Sequence, residues 1–367
     1  MKRSRAPVPL WLRIIRIIRI LCILCILSPL PTFSTPTAGA GQDLHDIVLE
    51  RGQALHAIVL EPELVIESDE DESEFLIGRV SSVVVDSHGT IYVGDSQLVS
   101  VLKFSDSGEY LGKFGSEGPG PGEIMKHFTM GIDDDDRLAF AGVSGRVTLL
   151  DTEGNFLDEF LRDQPGWFTS SLQFDSKGEF YTVSANMLTH QMIQEYSPKG
   201  EFLRSFGDTY AVGTNEDPRS EQTYASGKLA IGPADTLFYV QSTPYELRKY
   251  SCDGILLAKT NEGAGGFVPP HPKVDWTRSP VTASFMGGAT GISMRPDGLV
   301  VTTAFRRLED DTEESMLCCY DSQLHLLGSK QLSGVLILRS CDSRGRIFVS
   351  SRGVAGPVIT RYRMRLE

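Results

Sequence analysis

The feature that most constrains this chain is a pair of tight turns that recurs along it. Each unit reads as an apolar alternating run, an Asp/Gly turn, a second alternating run and a polar loop. A third run ending in an aromatic, another Gly turn and a fourth run complete it. The clearest copy is VSSVVVDSHGTIYVGDSQLVSVLKFSDSGEYLGKFG, residues 80–115, with turns at Asp86-Ser87-His88-Gly89 and Asp106-Ser107-Gly108. Its runs are rich in Val, Ile, Tyr and Phe, the composition of half-buried strands. First turns recur at 86–89, 133–137, 175–178, 232–235, 295–298 and 342–345, their last residues separated by 48, 41, 57, 63 and 47 positions. Second turns follow at 106–108, 151–154, 197–200, 251–254 and 321–323. This is the spacing of a β-meander with two hairpin turns per unit, and unrelated hairpins in a sandwich do not predict it. Four strands in roughly 40–60 residues match a propeller blade, so the expectation is an all-β, six-bladed β-propeller.

The sixth unit supplies three strands (LILRSC, RIFVS and VITRYRM) before Glu367. A blade without its outer strand presents an open edge. The segment ELVIE, residues 63–67, precedes the first unit and has no blade of its own. It is expected to complete the last blade, with 64–66 alongside 358–362, and the acidic run 68–74 (SDEDESE) links it to blade one. Residues 61–367 then form the propeller and 41–60 an N-terminal tail.

The stretch GTIYVGD, followed by VLKFSDSGEYLGKFGSEGPGPGE, resembles an NHL repeat, and more narrowly the exported bacterial six-bladed propellers of that superfamily. Gly89, Ile91, Tyr92, Val93, Asp95, Phe104, Gly108, Phe114 and Gly115 carry the resemblance. Blades two to six match in pattern only; Ser184 and Gln241 stand where blade one has Asp95. The resemblance covers about residues 60–367 and implies the fold more strongly than any activity.

Residues 1–40 read as a secretory signal: a basic start (MKRSR), an uncharged run at 20–30 (ILCILCILSPL) and a small-x-small site at Ala38-Gly39-Ala40. The uncharged run is shorter than the ~20 residues a bilayer span needs. Cleavage after Ala40 would leave a secreted, periplasmic or cell-envelope protein without a membrane span. The formal charge is −13, although the first forty residues hold six of the 35 Lys+Arg and no acid. Such an acidic chain repels phosphate backbones, which argues against nucleic acid and anionic membranes as partners. After the leader, Cys252, Cys318, Cys319 and Cys341 remain. Four cysteines permit three disulfide connectivities, and buried free thiols fit equally well. On a strand, Cys318 and Cys319 would face opposite sides.

In a propeller the loops between second and third strands and the crossovers between blades emerge on one face. The two longest unit intervals owe part of their length to crossovers at 208–224 and 263–288. Insertions on one face of a repeat protein usually build its binding surface. The residues singled out there are Tyr210 in the first crossover and Phe267, His271, Trp276 and Arg278 in the second. Trp167 and Phe168, in the crossover from blade two to blade three, join them. Aromatics rimmed by Arg and Pro suit a protein, peptide or glycan partner; the alternative is that Trp167 and Trp276 roof the core beneath their loops. The expectation is a monomeric binding or scaffold propeller without a cofactor.

The rival reading is a metal-dependent hydrolase or lyase with calcium or zinc at the channel mouth, as the resemblance to lactonase-like and peptide-amidating-lyase-like propellers implies. The histidines at 45, 56, 88, 127, 190, 271 and 325 show no metal-ligand spacing. His127, His190 and His271 would share the crossover face. The run IDDDDR, 132–137, coincides with a blade turn and lacks the Gly and distant Glu of a calcium loop. GSEGPGPGE, 115–123, lacks the Lys-Ser/Thr and helix of a phosphate loop and reads as a blade linker. No Gly-x-Ser-x-Gly elbow occurs.

Overall fold

The computed structural model describes residues 55–68, 75–142, 145–162, 169–186, 189–209, 226–269, 273–275, 282–354 and 356–367. Six four-stranded antiparallel sheets stand in a ring, each a meander with its first strand innermost. Blades one to five span 80–114, 129–161, 172–208, 227–260 and 287–333. Blade six takes Ile337–Cys341, Arg346–Arg352 and Pro357–Leu366, and its outer strand is Ile58–Glu67 from the N-terminal side. Leu64 pairs with Arg361, Val65 with Thr360 and Ile66 with Ile359, as the open edge required. The strand starts at Ile58, earlier than the expected Glu63, because the last strand offers ladder partners up to Leu366. Separately, Lys273–Asp275 pairs with Thr282–Ser284 in a two-stranded ribbon.

The local chemistry of the turns explains why the meander repeats. Asp86 Oδ1 accepts from the N–H groups of His88 at 3.0 Å and Thr90 at 2.8 Å. Asp133, Asp175 and Asp342 make the same two bonds within their own turns. A short acceptor two and four residues upstream holds the backbone in its bend, so local sequence suffices to form it. Second turns reuse the device with Asp151, Asp321, Ser105 and Ser197.

The left-handed position that closes a first turn is Gly89, Gly178, Gly298 or Gly345 in four blades, but Asp136 (φ 59°) and Asp235 (φ 53°) in blades two and four. Aspartate tolerates this region less well than glycine. Each carboxylate accepts from a serine of the preceding blade: Asp136 from Ser87 N–H at 2.8 Å and its hydroxyl at 2.6 Å, Asp235 likewise from Ser176. The acidic run 132–137 is therefore a turn joined to its neighbour. In the last second turn Leu324 (φ 69°) occupies the position of the usual glycine.

Among the described residues the core divides into six clusters, one at each blade interface. Strand alternation supplies both neighbours at once: Ile91 and Val93 face blade six, and Tyr92 between them faces blade two. Cys318 and Cys319 point to opposite interfaces. All four described cysteines are free, and burial pushes the thiols of Cys318, Cys319 and Cys341 up to about 12, keeping them protonated.

Candidate functional site

The innermost strands surround a central channel with a cavity of about 250 Å³. Each strand runs from the crossover end of the channel to the turn end. Close approach of neighbouring inner strands restricts side-chain size: a Cβ on Gly291 would lie 2.1 Å from the Leu338 carbonyl oxygen.

Four residues before the first turn, blades one to four carry Ser82, Thr129, Ser171 and Lys228. The hydroxyls hold blade to blade. Ser82 Oγ accepts from Met130 N–H at 2.9 Å, Ser171 Oγ from Leu229 N–H at 3.2 Å, and Ser170 Oγ donates to the Gly227 carbonyl at 2.7 Å. Between blades five and six, Thr303 Oγ1 accepts from Leu338 N–H at 3.0 Å.

Blades one, five and six each bulge in this strand, at Ser81, Thr290 and Arg339, where one residue has no partner in the ladder. A bulge re-aims the side chain it frees. The Arg339 guanidinium crosses to blade one and donates to the carbonyls of Val80 at 2.9 Å and Ser81 at 3.0 Å, with Nε–H donating to Ser350 Oγ at 2.7 Å. Two bulges on facing blades thus meet: one releases carbonyls and the other delivers donors.

Lys228 occupies the position where blades one to three have a hydroxyl. Its ammonium donates to the Ser170 carbonyl at 2.5 Å. Burial, and then the Arg339 charge across the channel, bring its pKa down to about 8; burial holds Arg339 down to about 10. Among the described residues the cavity lining contains no aspartate or glutamate to offset them. At the turn end Asp86, Asp133, Asp175 and Asp342 are buried and engaged by their own turns.

Of the residues singled out from sequence, Trp167, Phe168, Tyr210, His271, Trp276 and Arg278 lie outside the described residues. Phe267 is a correction to the expectation of an exposed contact residue. It is buried in the interface of blades four and five, with the Arg306 guanidinium 4.3 Å from its ring centroid, so it roofs the core. No group of three His, Cys, Asp or Glu among the described residues could hold a metal ion. Lys228 and Arg339 escaped the sequence reading, although a lone cation at a hydroxyl position of an innermost strand was a usable signal.

With the ring in view, comparisons agree on architecture. A family model described as DUF5128, 6-bladed beta-propeller, matches residues 70–191. A solved DUF4221 family member from Bacteroides vulgatus is 10% identical and superposes at TM-score 0.54, over 86% of this chain and all of that one. A candidate exported protein from Bacteroides fragilis is 11% identical at TM-score 0.53, covering 84% of this chain and 95% of its own. Virginiamycin B lyase from Staphylococcus aureus, 10% identical, gives 0.47 over 83% and 99%. No curated protein matches the chain. The protein is a six-bladed β-propeller. At these identities the similarity speaks for the fold alone.

Proposed function

We propose that this protein is an exported recognition propeller of NHL type, which binds a protein, peptide or glycan partner at the crossover face. The observation that carries this reading is the asymmetry of the channel. Among the described residues that line the cavity, its crossover end presents hydroxyls and two cations and no carboxylate, whereas Asp86, Asp133, Asp175 and Asp342 at the turn end are engaged by their own backbone. Polar groups left available beside a cavity are what a binding surface requires. From the sequence, the long crossovers at 208–224 and 263–288 are expected at the same end. Among the described residues no helix is long and apolar enough to cross a membrane, which is compatible with export.

The same charge distribution weighs against a metal-dependent hydrolase or lyase. Lys228 and Arg339 repel a dication from the channel mouth, and the nearby hydroxyls are poor substitutes for carboxylates.

The reading is tested with peptide and glycan arrays probed by the wild-type protein and by a Trp167→Ala/Trp276→Ala variant of unchanged thermal stability. Reproducible ligands of the wild type should lose at least about tenfold in affinity in the variant, as truncated aromatic anchors do. An array profile identical for both proteins would move recognition away from this face.

A further inference from the structure

We propose that Lys228 and Arg339 form an oxyanion site inside the crossover end of the channel, which takes the carboxylate or phosphate group of a small ligand. The proposal rests on the reading of that end as the recognition end and names the chemistry recognised there. Its two cations come from blades four and six and reach one cavity.

The hydrogen-bond inventory leaves donors free. An ammonium has three N–H bonds and a guanidinium five. Among the described residues Lys228 directs one to Ser170, and Arg339 directs three to Ser350, Ser81 and Val80, so each retains two. Ser340, beside Arg339 in the channel lining, has a buried hydroxyl without a hydrogen-bond partner.

Several other partly buried cations are balanced by carboxylates. Arg146 lies 3.2 Å from Glu159, Arg204 2.6 Å from Glu195, Arg248 2.6 Å from Glu246, and Arg346 2.6 Å from both Asp106 and Asp342. Arg162 has no carboxylate partner among the described residues but is occupied, donating to Gly145, Gly142 and Thr182 beside the Tyr196 ring. Lys228 and Arg339 differ from all of these in facing each other across an open cavity. One anion between them would relieve their mutual repulsion and compensate both charges.

Size and net charge restrict the ligand. About 250 Å³ is below the ~300–1,000 Å³ of pockets for drug-sized ligands, so the channel takes a charged head group. A polyanion would meet a chain of formal charge −13. Arginine offers planar paired donors to a carboxylate or phosphate, and lysine adds a point charge.

The test is calorimetric titration of the full chain with methyl phosphate and with glucuronate, against chloride at matched ionic strength. Saturable binding of at least one probe is expected, and which one binds separates phosphate from carboxylate. Affinity should fall at least about tenfold in Lys228→Met, and about tenfold or more in the wild type between about pH 7 and about pH 10, as the ammonium deprotonates. The pH arm needs no variant, so a folding defect in Lys228→Met leaves the proposal testable. Trp167→Ala/Trp276→Ala should keep probe binding even if it loses its array ligands, which separates failure of this site from failure of the partner surface. Neither probe exceeding chloride, affinity flat with pH, or a folded Lys228→Met that binds normally would each overturn the site.

Discussion

The two ends of the channel treat charge in opposite ways. At the turn end, Asp86, Asp133, Asp175 and Asp342 are buried, but each accepts from two N–H groups of its own turn, and Asp342 also pairs with Arg346 Nε–H at 2.6 Å. Folding and charge compensation there are one event. At the crossover end, Lys228 and Arg339 lie in the same cavity with carbonyls and a hydroxyl for partners. The fold uses part of their donor capacity and leaves the rest directed at solvent. Buried acids therefore report on stability in this protein, whereas the half-buried Lys228 reports on what the protein holds.

The strongest test of that contrast pairs one substitution from each end. Asp342→Ala removes the acceptor of two turn N–H groups and one of the two carboxylates that Arg346 engages, so it should lower unfolding free energy by about 2–3 kcal/mol in a denaturant titration. Lys228→Met loses one bond to a carbonyl while ending a like-charge contact, and should change stability by about 1 kcal/mol or less. Comparable losses in the two variants would break the comparison.

A smaller effect is expected in the pH profile of thermal unfolding. The hydrogen bond from Arg346, then Arg344 and the Arg361 charge, outweigh desolvation and hold the Asp106 carboxyl at about 2 against an ordinary 3.8. Its contribution is complete above the ordinary value and is lost as pH falls from about 4 towards 2. Lys228 acts in the alkaline window. With a folded value of about 8 against 10.5, the unfolded chain binds more protons between those values, so stability gains from this group as pH rises through them. Lys228→Met should flatten the alkaline limb alone.

The smallest expected effect sharpens the account of the turn end. At Asp136 (φ 59°), Asp136→Gly loses the bonds from Ser87 but relieves the backbone, whereas Asp136→Ala loses the bonds and keeps the strain. The alanine variant should be less stable by about 1 kcal/mol in the same titration.

These differences also explain what the sequence could disclose. The turns were legible because their physics is local: an Asp or Ser, then acceptor contacts two and four residues on, and a glycine at the left-handed position. The ring closure was legible because VITRYRM had no outer neighbour and ELVIE had no blade. Arg339 was hidden by its bulge, which displaces it from the alternation that would have marked it as core or surface. Lys228 sat in GKLAIG among apolar residues, and its importance depends on Arg339, 111 positions away in the sequence. Phe267 misled for a related reason, since an aromatic in a long crossover looks exposed until the interface it covers is known.

The pairing of Ile58–Glu67 with Pro357–Leu366 has a kinetic consequence. Joining segments some 300 residues apart, instead of 30, adds only about 2 kcal/mol of closure entropy, because that cost grows with the logarithm of the loop. A ladder of this length easily offsets it at equilibrium. The delay is in search time: the earliest strand must wait, its edge unmatched, until the final one has formed, which makes the ring slow to lock although firm once locked.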